Sequence, residues 1–394
     1  MKKIILILIS VIIAFVGVPN IMPTRVEMNH IEIVRIMGID RADDGNVQVT
    51  WVRNYANNEG GGGIGAMEEA GNGEEGGEAG VAESAAVADP PSNTISRTSP
   101  TVAGAIAELR RAMEREVPSG HIEFILIGES AVQHDILKYI DYLSRDTDAR
   151  LSAKVYFVRE GSANELLNSI PPDFILTEKL SNLSRNSGAS VISSEKTLAD
   201  FLRKISSDLG DGIVPNVQLV EVNGQKIVRF SGYTIIENRR FAGYMGTSAA
   251  RGYNLIRQNS PGGYMNIRYH DNYASLRINN FNTRINFIFD GNHLERVQIT
   301  TNIDAKLSEA QTIQNASITE LESLTTSHIR EQIGNAVYLS QQYRSDFLNL
   351  SEQIRLRHPY RWAQIRENWR ETLAITPIEV VVTTNIVPTH SPMS

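Results

Sequence analysis

The chain has 394 residues, 41% apolar and 21% charged, which is ordinary for a globular protein and long enough for two or three domains. Its net charge of −7 is concentrated, since residues 57–96 carry seven Glu and one Asp with no Lys or Arg, and the remainder is close to neutral. No basic patch interleaved with aromatics is present, so a nucleic-acid partner is not expected, and zero cysteines exclude disulfides, thiolate metal sites, a Cys nucleophile and thioether lipidation.

Lys2 and Lys3 precede an apolar run, Ile4 to Val18, broken only by Ser10 and Gly17. That is the pattern of a secretory signal or signal-anchor. Fifteen helical residues cover roughly 22 Å of a hydrocarbon core roughly 30 Å thick, and counting on to Met22 reaches marginal spanning length. Phe15 and Pro19 suit a cleavage site poorly. Residues 1–24 are expected to be an uncleaved anchor, with a soluble secreted product as the rival.

Ile31 to Asp40 and Val47 to Tyr55 predict two strands joined at Asp43-Asp44-Gly45 as a hairpin. Asn57 to Ser96 is rich in Gly and acids and buries too little apolar surface to offset its chain entropy. It is expected to be a disordered insertion in the first domain. Its carboxylates lack the ligand spacing of an EF-hand loop, so no metal site is assigned there.

Ser99-Pro100 predicts a helix start, with Val102, Ile106, Leu109 and Met113 as one stripe. Ile122 to Ile127 predicts a strand. Gly128-Glu129-Ser130 then turns into a helix with Val132, Ile136, Ile140 and Leu143 on one face, where Ser130 is expected to cap. Leu151 to Val158 is the next strand, and the helix between the two favours parallel pairing. Phe174 to Leu183 and Ser194 to Leu209 predict further helices, and Gly210-Asp211-Gly212 marks a domain edge.

From Val217 to Val297 strands alternate with turns at Asn223-Gly224, Gly262-Gly263 and Asp290-Gly291. The expected strands there are 218–222, 227–236, 274–279 and 284–290, followed by 293–307. Ser317 to Leu350 predicts the longest helix, opened by a capping box of Ser317 and Glu320. Pro359 starts another helix whose Trp362, Ile365, Trp369 and Leu373 share a face expected to pack into a core. Ile378 to Val387 predicts a closing strand. The fold class expected is α+β, multi-domain, with mixed sheets and packed helices. The domains are 25–212, 213–292 and 293–394, the last containing the long helix.

The blocks in order resemble the Ger(x)C family, the C subunits of spore germinant receptors. Arg25, Glu27, Asn29 and Gly38-Ile39-Asp40 match its opening; Gly120-His121, Gly128-Glu129 and Arg145-Asp146 with Arg150 match its next segments. Gly232, Gly243, Arg251-Gly252, Asp346, Trp362 and Trp369 match its second half, although a Glu or Thr before Arg-Gly and a following Trp are missing. The resemblance covers roughly residues 25–388. It implies a three-domain α+β architecture without enzymatic activity. It also implies a place on the outer face of the spore inner membrane, with a permease-like subunit and a second membrane subunit as partners, and a small-molecule nutrient reached through them. Family members are lipoproteins; here Val18 stands where the lipid-bearing Cys would be. Attachment by a spanning anchor or by partners is therefore expected.

Site chemistry is sparse. Gly128-Glu129-Ser130 looks like half a nucleophile elbow, but Val132 stands where the second Gly is needed. No His pair has the spacing of a helical zinc site, and no cofactor is expected. His121, Glu129, Arg145, Asp146 and Arg150 are the candidate interaction residues. An envelope hydrolase, with Glu129 or Ser130 at work, and a solute-binding protein are the alternative functions.

Overall fold

The computed structural model describes residues 32–53, 94–113, 115, 117–169, 176–182, 196–258, 262–269, 272–309 and 317–387. The apolar run Ile4 to Val18 lies outside them, as do residues 57–93 of the acidic insertion. Among the described residues, no helix is long and apolar enough to cross a membrane.

The first sheet has eight strands in the order β3-β2-β1-β4-β5-β6-β7-β8. β1 (Val34–Arg41) and β2 (Val47–Arg53) form the expected hairpin, and β3 (Thr94–Ser99) adds to β2. Order thus resumes three residues before the expected end of the insertion, because Thr94 and Ile95 pair with Val52 and Trp51. α1 (Val102–Ala112) follows; its cap is Thr101, whose Oγ1 accepts from the Gly104 amide, while Ser99 is still in strand.

β4 (Phe124–Ile127) lies parallel to β1, α2 (Glu129–Arg145) crosses over, and β5 (Lys154–Val158) lies parallel to β4. The parallel pairing expected from the intervening helix is present. Period-2 alternation explains why these strands read as continuous apolar runs. Met37, Ile39, Ile125, Ile127, Val155 and Phe157 face one core, with α1 and α2. Ile36, Phe124, Leu126, Tyr156 and Val158 face another, under α3 (Ala163–Asn168) and the helical residues 176–182. α4 (Leu198–Ile205) is shorter than expected, since Thr197 and Asp200 form a reciprocal capping box inside the predicted helix. β6 (Gly212–Val222), β7 (Gln225–Glu237) and β8 (Arg240–Met245) extend the same sheet past Asp211.

The second sheet has the order β12-β11-β10-β9. α5 (Thr247–Arg257) leads into β9 (Gly263–Tyr269) and β10 (Asn272–Asp290). β10 is one strand where two were expected, because irregularities in its pairing absorb the break in pattern near Asn279. It pairs with β11 (His293–Glu309) across the Asp290-Gly291 turn, where the expected domain edge falls.

α6 (Ile318–Gln342) ends eight residues before the predicted stop. Arg344 and Asn349 take positive φ of 50° and 66°, which breaks the helix although Tyr343 and Phe347 continue its apolar stripe. Ser317 caps α6 as expected, but Glu320 also accepts from the Tyr269 hydroxyl at 2.8 Å. α7 (Leu350–Arg357), α8 (Pro359–Ile365) and α9 (Trp369–Ile375) carry the chain to β12 (Ile378–Val387), parallel to β11. The Trp362 and Trp369 rings meet edge-on at 5.4 Å. Trp369 and Leu373 are buried in the core as expected, while Trp362 and Ile365 are only partly buried against it, and a 3-10 turn at Arg366–Asn368 breaks the expected single helix. The fold is α+β. Its second core takes Ile213, Tyr233, Ile235 and Met245 from the first sheet, so the two sheets share buried surface.

Candidate functional site

At the C-terminal ends of the parallel strands, motif residues serve the fold. Asp40 ends β1 buried; Oδ1 accepts from the Ala163 amide at 2.7 Å and Oδ2 from the Asn164 amide at 2.8 Å. Burial raises its pKa to about 6, against those two bonds, which lower it. A Cβ on Gly128 would sit 1.9 Å from Asp40 Oδ1, so the Gly-Glu turn needs glycine for this carboxylate to fit.

Glu129 opens α2. Its Oε2 accepts from the Glu160 amide at 3.1 Å and its Oε1 from the Tyr244 hydroxyl. Burial, then the bond to Glu129, pushes the Tyr244 hydroxyl well above its ordinary pKa. Arg159 lies over the Tyr244 ring, 4.7 Å from its centroid. Glu129 therefore ties three segments together. Ser130 is not the cap of α2: the N-cap is Gly128, with no side-chain capping bond, and Ser130 is exposed.

The remaining candidates gather at the opposite end of β4. His121 closes a 3-10 turn, Ser119–His121, before the strand, and is exposed. That turn lies against the loop after α2, for a Cβ on Gly120 would come 3.6 Å from Asp148 O. In the loop, Asp146 accepts from the Asp148 amide at 3.0 Å and from the Tyr142 hydroxyl. Arg145 pairs back to Asp141 at 3.0 Å in solvent. Arg150 approaches Glu123 at 3.7 Å, and Glu123 also holds Arg35 at 2.7 Å. So His121, Arg145, Asp146 and Arg150 lie on neighbouring segments at one end of β4, and Glu129 stands apart from them at the far end of the strand.

Sequence reasoning missed a third arrangement, where the sheets meet. Asp211 accepts from the Asn238 amide and the Asp346 amide, both at 2.9 Å. Arg370 donates to it from Nη2 at 2.8 Å and also reaches Glu237 at 2.8 Å and the Leu209 carbonyl at 2.7 Å. Asp346 caps α7, accepting from the Leu350 and Ser351 amides at 2.8 Å each. Burial raises its pKa, and the neighbouring Asp211 adds to that. The Gly210-Asp211-Gly212 tripeptide reads in the sequence as a domain edge; the Asp between the glycines was the available signal. Among the described residues, no group of three His, Asp or Glu side chains converges as a metal site would.

Residues 24–219 match the family model of the spore germination protein N-terminal domain, and residues 231–390 match that of the spore germination B3/GerAC-like C-terminal domain. The chain is similar to the spore germination protein YndF of Bacillus subtilis (strain 168), 24% identical over 308 residues that cover 75% of this chain and 74% of that one. Its fold is similar to the crystal structure of the GerBC protein, with a TM-score of 0.57 and 15% identity over 89% of this chain and 96% of that one.

Proposed function

The chain belongs to the GerAC-like family of spore germination proteins, and on that premise we propose that it is the non-enzymatic, outer-face subunit of a nutrient-germinant receptor. The observation that carries this reading is coverage: two family models, in the family's order, take up residues 24–219 and 231–390, nearly the whole folded chain. It acts with a permease-like membrane subunit and a second membrane subunit, and the nutrient reaches the complex through them. Valine cannot form the thioether of a lipoprotein, so the apolar run Ile4 to Val18 anchors the chain, or its partners hold it.

The surface carrying His121, Arg145 and Arg150 is the proposed partner-facing edge, because these side chains are exposed and sit on neighbouring segments at one end of β4. Glu129 is assigned to the fold rather than to an interface or to catalysis, since both its oxygens are spent on Glu160 and Tyr244. The hydrolase alternative loses its best carboxylate by the same bonds.

Deletion of this chain's gene from a sporulating host tests the proposal. Spores are expected to lose the response to one class of nutrient and to keep their response to non-nutrient triggers. Spores that respond as before to every nutrient the parent answers would overturn it. So would cleavage of peptidoglycan by the purified chain that is lost in Glu129→Gln.

A further inference from the structure

Beside the junction, α4, β6, β7, α5 and the turn before α7 enclose a cavity of about 500 Å³, within the range of small-ligand sites. Four cations line it: Lys196, Arg203, Lys204 and Arg257. The single acid on its wall, Asp200, is already committed to the Thr197 capping box and to Arg203 at 2.6 Å. Among the described residues, no carboxylate lies within 4.0 Å of Lys196, Lys204 or Arg257. Lys204 donates only to the Asn349 amide oxygen, and Arg257 makes one long bond, 3.4 Å, to the Leu348 carbonyl. Burial lowers the pKa of both lysines; for Lys204 the nearby Arg257 adds to it and Asp346 opposes it, and for Lys196 Asp200 opposes it.

Lys196, Lys204 and Arg257 face one hollow without an ion pair of their own among the described residues, Asp200 and Asp346 acting on the two lysines only from a distance, and an anion between the three cations would be favoured. The rest of the wall is apolar and aromatic, with Phe201, Tyr253 and Phe347, the last two edge-on at 6.0 Å. We propose that this cavity binds a small organic polyanion, with carboxylate or phosphate groups held by Lys196, Lys204 and Arg257 and a compact apolar body against the aromatic wall. The wall draws on α4 and β6 from the first sheet's side and on α5 and Phe347 from the second's. An occupant therefore stiffens the junction between the two. This inference stands on the cavity alone and does not depend on the germination reading.

The test uses the full-length chain in detergent at constant ionic strength, titrated with phthalate and with pyrophosphate and followed by calorimetry and thermal melting. Glucose and alanine are the neutral controls. Saturable binding and a raised Tm are expected with at least one anion and with neither control, and the responding arm separates carboxylate from phosphate recognition. Lys196→Met and Arg257→Gln are each expected to bind about tenfold more weakly, a difference of about 1.4 kcal/mol, whereas Arg111→Gln on α1 binds as the parent does. Absence of binding by both anions, or equal binding by Lys196→Met and Arg111→Gln, would each overturn the proposal.

Discussion

Arg370 on α9 reaches across to Asp211 at the start of β6, with Nη2 2.8 Å from Oδ1 and Nη1 3.2 Å from Oδ2. Asp211 is 3% exposed and Arg370 21%. Removing the cation leaves a buried carboxylate facing the buried Asp346, held among the described residues by two backbone amides and no other ion pair. Arg370→Ala is expected to cost about 3 kcal/mol of unfolding free energy, read from the urea midpoint. Arg370→Lys should recover part of it, because an ammonium restores the charge but not the forked geometry. An alanine variant within about 0.5 kcal/mol of the parent would show that the bridge is idle.

Asp40 gives a pH dependence with a definite sign. Its folded pKa, about 6, lies above the unfolded value of 3.8, so the folded state holds its proton where the unfolded state has lost it. The stability it contributes is fully present below pH 3.8 and falls as pH rises through 6, by on the order of 3 kcal/mol. Asp346 is shifted in the same direction, so the comparison must be with Asp40→Asn, which keeps Asp346. The stability difference between parent and variant is expected to shrink between pH 4 and pH 6. A difference that is flat across this range would refute the assignment.

α5 crosses α6 at Gly252 so closely that an added Cβ would lie 2.0 Å from the Gln332 carbonyl oxygen. That atom is helix backbone and cannot swing away. Gly252→Ala is expected to destabilise by about 2 kcal/mol, although alanine favours an isolated helix. Thermal melting checks the sign: a more stable variant would mean the helices are not in contact there.

The two groups of candidate interaction residues should separate experimentally. Arg150→Glu reverses a charge on the proposed partner-facing edge, while Glu123 keeps Arg35. Its effect on stability should stay under about 1 kcal/mol, with capture of membrane partners reduced. Glu129→Gln should do the opposite, lowering stability through the Glu160 and Tyr244 contacts and leaving capture intact. Reduced capture by Glu129→Gln alone would move the interface to the other end of the sheet.

The sequence made much of the first sheet legible because its strands are short and bounded by turn residues: the Asp43 to Gly45 turn, Gly128, and the β-branched runs between them. Helix ends were legible only where a local cap decided them, as at Ser317. The predicted helix ran on past Gln342 because Tyr343 and Phe347 keep the apolar period. Its true end depends on Asp346 turning inward to Asp211, a partner 135 residues away. The junction was invisible for the same reason: Asp211, Arg370 and Asp346 are far apart in the chain, and the family match that singles out Asp346 does not name its partners. The cavity cations Lys196 and Arg257 became a group only once α4 and α5 were placed side by side. His121 and Arg150, by contrast, were legible as candidates and lie on segments at the same end of β4; Glu129 was singled out with them and lies at the other end.

The most direct test of the central claim is affinity capture of the full-length, tagged chain from detergent-solubilised spore membranes, with its companions identified by mass spectrometry. The account predicts recovery from the membrane fraction together with a multi-spanning permease-like protein and a second membrane protein. Recovery from the soluble fraction, with no multi-spanning protein attached, would contradict it.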